Sequence, residues 1–335
     1  MRLNLLAAGL LALTATAAVA QNINGAGATF PNPIYSRWFS EYNQVHPNVK
    51  INYQSIGSGG GIRQVSDGTV DFGATDGPMN DQQIAESKIK TMHIPTVLGA
   101  VVPVYNLNGV NQELNFSGEV IADIYLGRIT KWNDPRIAKD NPGVNLPNAS
   151  ILPVYRSDGS GTTYIFTDYL SKVSQDWQGH VGKSTSVKWP TGIGQKGNEG
   201  VAGMVRQSPN SFGYVELIYA LANHMQYGTV RNAAGKFVKA TPAGVTAAAA
   251  AAAKTMPADY RVSITNAPGA ESYPISSFTW LLIPYHFADP AKGKAMAGFL
   301  EWMLEKGEGE AAGMTYAPLP KQVQDKVQVT IRSIK

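Results

Sequence analysis

The sequence contains no cysteine. That excludes thiolate catalysis, cysteine-ligated metals, a lipid-bearing cysteine behind a leader, and any disulfide. Histidine is scarce too: His46, His93, His180, His224 and His286 are scattered, with no pair at i,i+4 spacing. No metal motif and no identifiable general base follow from such a distribution. Charged residues make up 16% of the chain and the formal net charge is +4, one unit of it from Arg2. This excess is too slight and too dispersed to argue for nucleic acid or a polyanion. Beyond the first twenty residues, no apolar run approaches the ~20 residues of a membrane span.

What is present reads as globular. With 335 residues, 44% of them hydrophobic, the chain can form two domains of ordinary size whose cores need no disulfides. The first twenty residues have the pattern of a secretory leader. Arg2 supplies the positive start, Leu3 to Leu13 the apolar stretch, and Ala18-Val19-Ala20 a small-residue cleavage site. Export with cleavage after Ala20 is therefore expected.

The rest alternates between strand and helix patterns. Ile23 ends a short strand, and Ile34, Trp38, Tyr42 and Val45 recur at helical spacing behind Pro31 and Pro33. Val49, Ile51 and Tyr53 alternate as in a half-buried strand, a glycine loop leads into a short helix, and "VDFGATD" is a strand ending at Asp76. "MHIPTVLGAVVPVYNL" reads as two strands; "ILPVY", "FGYVE" and "FTWLLIPY" as one each. "SGEVIADIYLG" and "TTYIFTDYL" read as helices, and "GFLEWMLEKGEGEAAG" as the final amphipathic one. The alanines Ala247 to Ala253 predict a surface helix. This rhythm predicts an open α/β sheet, whose ligands bind beyond the carboxyl ends of the strands. Proline-bounded strand stretches near Val101–Tyr105 and Ser276–Leu282 are candidates for crossings between two lobes.

Polar clusters sit at those strand ends: Thr29 with Phe30, Ser58 among glycines, Asp76, and the run "RSDGSGTT" from Arg156 to Thr163. Each has an ordinary explanation: helix cap, turn, or the exposed pair Arg156–Asp158. Together they suit a small anion. Helix N-termini present free N–H groups, glycines let backbone amides approach, hydroxyls add donors without charge, and an arginine offers a two-pronged cation. Asp76 qualifies the design, because an ionised carboxylate only accepts hydrogen bonds. It would accept from phosphate, which keeps a proton near neutrality, and would oppose fully deprotonated sulfate. Asp158 would orient Arg156.

Enzyme motifs are incomplete. "GKST" at Gly182 lacks a glycine at the spacing of a nucleotide phosphate loop, and Gly159 and Gly161 directly flank Ser160, which rules out a nucleophile elbow. A binder of another oxyanion, an adhesion or signalling protein on the same fold, and an ester hydrolase stay open as alternatives.

"GAGATFPNPIYSRW", "NYQSIGSGGGIRQVSDGTVDFGATDGPM" and "RSDGSGTTYIFTDYL" resemble, in order, the motifs of the phosphate-binding subunit of bacterial phosphate ABC importers. "IYLGRITKWNDPRIAKDNPG", "VKWPTGIGQKGNEGVAG" and "GYVE" extend the resemblance over most of the chain, with little similarity between about residues 223 and 270. The resemblance implies a type II-like periplasmic binding fold of two α/β lobes joined by two hinge crossings, the ligand cleft between them. The expected lobes are residues 21–103 with 279–335, and residues 104–278. It implies phosphate contacts from Thr29, Phe30, Ser58, Asp76, Arg156, Ser160, Gly161 and Thr162, with Asp158 in support. It further implies a periplasmic, monomeric, non-enzymatic receptor without cofactor or metal, whose partners are a membrane permease and its ATPase. Gly59 stands where some relatives have serine.

Overall fold

The computed structural model describes residues 20–334. The leader read at residues 1–20 therefore lies outside the described residues, apart from Ala20. The chain begins with strand β1 (Gln21–Gly27), helix α1 (Asn32–Val45), β2 (Val49–Ser55), α2 (Ser58–Asp67) and β3 (Phe72–Thr75). A short α3 (Asp81–Glu86) precedes the long β4 (Thr91–Asn106). Next come β5 (Asn115–Phe116), α4 (Gly118–Tyr125), α5 (Pro135–Asp140), β6 (Leu152–Arg156), α6 (Gly161–Val173) and α7 (Gln175–His180). They are followed by β7 (Ile193–Gln195), α8 (Gly197–Gln207), β8 (Ser211–Glu216) and α9 (Leu217–Ala222). Short strands β9 (Gln226–Tyr227), β10 (Thr229–Arg231) and β11 (Phe237–Val238) lead to α10 (Pro242–Lys254). The chain then returns through β12 (Ser276–Pro284), α11 (Pro290–Glu305) and α12 (Lys321–Ile331).

One curled sheet runs in the order β2-β1-β3-β12-β4-β8-β6-β7. β1, β2 and β3 are parallel neighbours, with Ile23 opposite Ile51 and Gly25 opposite Phe72. β4 joins the two halves. Its first part, up to Ala100, pairs with β12, and from Val101 onward it pairs with β8. Here the structure corrects the two-strand reading of this stretch. Pro95 falls beside a register shift in the β12 pairing, and Pro103 lies opposite Tyr214 in the β8 pairing, so neither proline interrupts the strand. β12 starts at Ser276, opposite Ala100, at the point where β4 changes partner.

Each half has its own layer of helices. α1 buries Ile34, Tyr35, Trp38, Phe39 and Tyr42 against the first half of the sheet. Phe39 meets Phe299 of α11 at a ring separation of 5.1 Å, and Trp38 Nε1 donates to the Gly307 carbonyl at 3.0 Å. Full burial of side chains this large stabilises the half by ~2–3 kcal/mol each. In the other half, Phe166 of α6 stacks on Tyr214 of β8 at 4.2 Å, with Tyr125 of α4 edge-on to both.

At the C-terminal side one sequence expectation is sharpened and another corrected. The alanine run is a helix at the surface, α10, with Ala250 and Ala251 exposed, while Ala248, Ala249 and Ala253 face inward, where small side chains allow close packing. α11 stops at Glu305 and short 3₁₀ turns follow, so the last helix is α12, which buries Val323, Val327 and Ile331.

Candidate functional site

Because β1, β2 and β3 are parallel, their carboxyl ends lie side by side, and the residues just beyond them share one edge: Thr29–Phe30, Ser58 and Asp76. From the other half, β6 ends on Arg156 and α6 begins at Gly161. Thr29, Phe30, Ser58, Asp76, Arg156, Ser160 and Thr162 are each no more than 3% exposed, so the site is enclosed.

The two sides touch. The Gly59 N–H donates to the Gly159 carbonyl at 2.9 Å. A Cβ on Gly161 would sit 2.3 Å from Ser58 Oγ and 2.5 Å from Asp76 Oδ2. Only glycine lets the N-terminus of α6 come so near the opposite wall. That terminus carries backbone N–H groups without intrahelical acceptors and the positive end of the helix dipole.

The hydroxyls are arranged alike. Ser160 caps α6, its Oγ accepting the Thr163 N–H at 3.0 Å. Ser58 Oγ accepts the Asp76 N–H at 3.1 Å. Thr29 Oγ1 accepts from Asn198 Nδ2 at 2.7 Å, and Thr162 Oγ1 accepts from the same nitrogen at 3.1 Å and from Arg156 Nη1 at 3.3 Å. A hydroxyl that accepts an N–H keeps its own proton available to donate. Ser160 is thus the helix cap of the ordinary reading, with its hydroxyl proton left uncommitted by that bond. Thr29 does not cap α1, where Pro31 occupies the cap position and no side chain accepts. The Thr29 and Phe30 carbonyls are engaged from outside by the Tyr219 and Tyr316 hydroxyls, at 2.7 and 2.6 Å.

Arg156 and Asp158 form a two-pronged pair, Nε to Oδ1 at 2.7 Å and Nη2 to Oδ2 at 2.6 Å. Burial raises the Asp158 pKa, but the Arg156 guanidinium and the Gly197 N–H, 3.2 Å away, outweigh it and hold the carboxyl below its ordinary range. Asp76 is in the reverse position. Burial dominates and pushes its pKa up to about 7, against the Thr279 hydroxyl donating to Oδ1 at 2.8 Å, the charge of Arg156, and Ser58.

Sequence reasoning missed Asn198 and Thr279. Asn198, in the first turn of α8, is fully buried. Its "GNEG" setting has the composition of a turn, and no strand pattern marks it as a strand-end residue. Thr279 lies within an apolar strand, where one threonine reads as core. The rejected phosphate-loop fragment has a structural role instead: Lys183 Nζ pairs with buried Asp168 at 2.6 Å. His93 is buried and accepts the Met79 N–H at Nε2, at 3.1 Å, and burial lowers its pKa to about 4. Among the described residues no group of three or more histidine, aspartate or glutamate side chains is placed to hold a metal ion. No described helix is long and apolar enough to cross a membrane.

Residues 12–306 match the family model of the PBP superfamily domain. The phosphate-binding protein PstS of Pasteurella multocida is 46% identical over 310 residues, covering 92% of this chain and 89% of that protein. The PstS protein of Haemophilus influenzae is 44% identical over 312 residues, covering 93% of this chain and 92% of its own length. Among solved structures, a high affinity periplasmic phosphate-binding protein (PfluDING) bound with phosphate superposes with a TM-score of 0.74 at 20% identity, covering 92% of this chain and 93% of that one. A phosphate binding protein from Stenotrophomonas maltophilia gives 0.70 at 18% identity, covering 92% and 94%. At such identities the structural matches establish the fold, two α/β lobes in the manner of periplasmic binding proteins, and the sequence matches establish the relationship. The chain belongs to the PBP superfamily, among its PstS-type phosphate-binding proteins.

Proposed function

We propose that this chain binds inorganic phosphate in the cleft between its halves and delivers it to the permease of a phosphate ABC importer driven by an ATPase. It would do so as an exported, monomeric receptor that neither turns its ligand over nor carries a cofactor. The lobes would be residues 21–103 with 279–335, and residues 104–278, with hinges where β4 and β12 pass between them.

One observation carries the reading: the hydroxyls of Thr29, Ser160 and Thr162, each accepting an N–H, are buried together with Ser58, the cation Arg156 and the N-terminus of α6 around the Asp76 carboxylate, whose Oδ2 lies 3.5 Å from Ser58 Oγ. Donors on nearly every side select a compact oxyanion. Asp76, the lone acceptor, selects one that still bears a proton. Binding energy would come mainly from directed hydrogen bonds, since Asp158 already balances Arg156. Closing over the ligand excludes water and strengthens each contact.

The test is titration calorimetry of the mature protein with inorganic phosphate and with sulfate at pH 8. Saturable phosphate binding at micromolar concentrations or below, with much weaker sulfate binding, is expected. Equal affinities, or no heat with phosphate, would overturn the reading.

A further inference from the structure

Asn198 belongs to α8, yet its side chain reaches both walls of the cleft. Nδ2 donates to Thr29 Oγ1 on the first half at 2.7 Å and to Thr162 Oγ1 on the second at 3.1 Å. Its Oδ1 accepts the Glu216 backbone N–H at 3.0 Å. That last bond fixes the amide orientation. A backbone N–H can only donate, so the atom facing it is the oxygen and the nitrogen must face the threonines. Both Nδ2 hydrogens are then used, one on each hydroxyl. The Asn198 backbone N–H adds a longer contact to Thr29 Oγ1, at 3.4 Å.

A threonine hydroxyl can turn its proton toward whichever neighbour accepts it. Faced with a group that only donates, it must accept there and send its own proton elsewhere. Asn198 imposes that condition on Thr29 and Thr162 together. The two bonds differ in one respect. Thr162 and Asn198 lie on the same half, on α6 and α8, whereas Thr29 lies across the cleft, beyond β1. The Thr29 bond therefore exists only when the halves are together.

We infer that Asn198 is a positioning residue that turns the Thr29 and Thr162 hydroxyl protons toward the ligand, and that it completes this orientation only as the cleft closes. The inference rests on the reading of the site as a phosphate receptor. It makes the first half's hydroxyl a poorly directed donor in the open protein and a directed one in the closed protein, so closure and ligand contact reinforce each other. Asn198 need not touch the ligand.

The test is a double-mutant cycle read by titration with inorganic phosphate. Asn198→Ala should weaken binding by about tenfold, the size expected for losing directed hydrogen bonds. Asn198→Asp should weaken it further, because an ionised carboxylate accepts the threonine protons and reverses both hydroxyls. In the Thr29→Val background, the cost of Asn198→Ala should shrink at least threefold, since one of the two hydroxyls it acts through is gone. Factors that simply multiply would overturn the inference, as would an Asn198→Asp variant that binds as tightly as wild type. A purely structural loss, from the unpaired Glu216 N–H, would not depend on Thr29. Should Asn198→Ala fail to fold, hydrogen exchange at the Asn198 side-chain amide of the wild-type protein gives a second readout. Phosphate should slow that exchange, and unchanged exchange in phosphate-saturated protein would overturn the inference. A wild-type protein that does not bind phosphate would instead count against the proposed function.

Discussion

Asp76 and Asp158 are carboxylates of one enclosed site, on opposite walls, and their surroundings drive them in opposite directions. Asp158 is matched by a guanidinium in two-pronged contact, so it stays ionised and acts on Arg156. Asp76 has hydroxyl donors, and Arg156 acts on it only as a charge at a distance; burial wins and its pKa rises to about 7. The difference suits the two walls to the tasks proposed for them. The second wall holds a cation whose charge is already balanced, and so offers donors without a large net field. The first wall holds an acceptor without its own counter-ion, a costly arrangement that makes sense where a ligand brings the missing proton.

Removing the cation breaks the comparison most severely. Arg156→Ala should lower phosphate affinity roughly a hundredfold, the scale of losing hydrogen bonds from a charged donor. Calorimetry measures this directly, and an affinity within twofold of wild type would remove Arg156 from the site.

The next effect concerns stability without ligand, where the same substitution should act with opposite sign on the two walls. Asp158→Asn leaves a buried guanidinium unmatched and should cost about 3 kcal/mol in urea unfolding at pH 8. The folded pKa of Asp158 is depressed, so its stabilising effect is fully present above the ordinary carboxylate value near 4. It is lost as pH falls through the lower folded value. For Asp76 the folded pKa lies above the unfolded one. Between about pH 4 and 7 the folded state holds a proton that the unfolded state releases, so stability falls as pH rises through that window. Above it the full cost of a buried charge is present. Asp76→Asn should therefore stabilise the ligand-free protein by roughly 2 kcal/mol at pH 8, with little change at pH 4. Two substitutions that both destabilise at pH 8 would remove the asymmetry between the walls.

Much of this arrangement is legible in the sequence because its parts are local. Thr29, Ser58, Asp76 and Arg156 each close or follow a strand whose apolar pattern is visible, and Gly161-Thr162-Thr163 opens a helix that is equally plain. What stays hidden depends on tertiary placement. Thr279, which donates to Asp76, is one hydroxyl in an apolar strand, and Asn198 gains meaning only when α8 is set against α6 and β1. The continuity of β4 is masked by Pro95 and Pro103, yet the strand carries one beside a register shift and the other within the β8 pairing, which only the sheet reveals. α12 did leave a signal, since Val323, Val327 and Ile331 recur every fourth residue, but the polar residues between them make the stretch read as a tail. The alanine run shows the limit of propensity: it specifies the helix, while burial of Ala248, Ala249 and Ala253 is decided by the sheet beneath.

If phosphate binds as proposed, selectivity is where the two carboxylates must differ most, because Asp76 would be the one that tells a protonated oxyanion from a bare one. At pH 8 Asp76 is mostly ionised and offers sulfate no donor. An asparagine in its place supplies an N–H and removes the repulsion. The decisive measurement is the ratio of phosphate to sulfate affinity at pH 8, in the wild-type protein and in Asp76→Asn. The ratio should fall at least tenfold in the variant, an effect equivalent to about 1.4 kcal/mol, whereas an unchanged ratio would show that Asp76 does not read the ligand's proton.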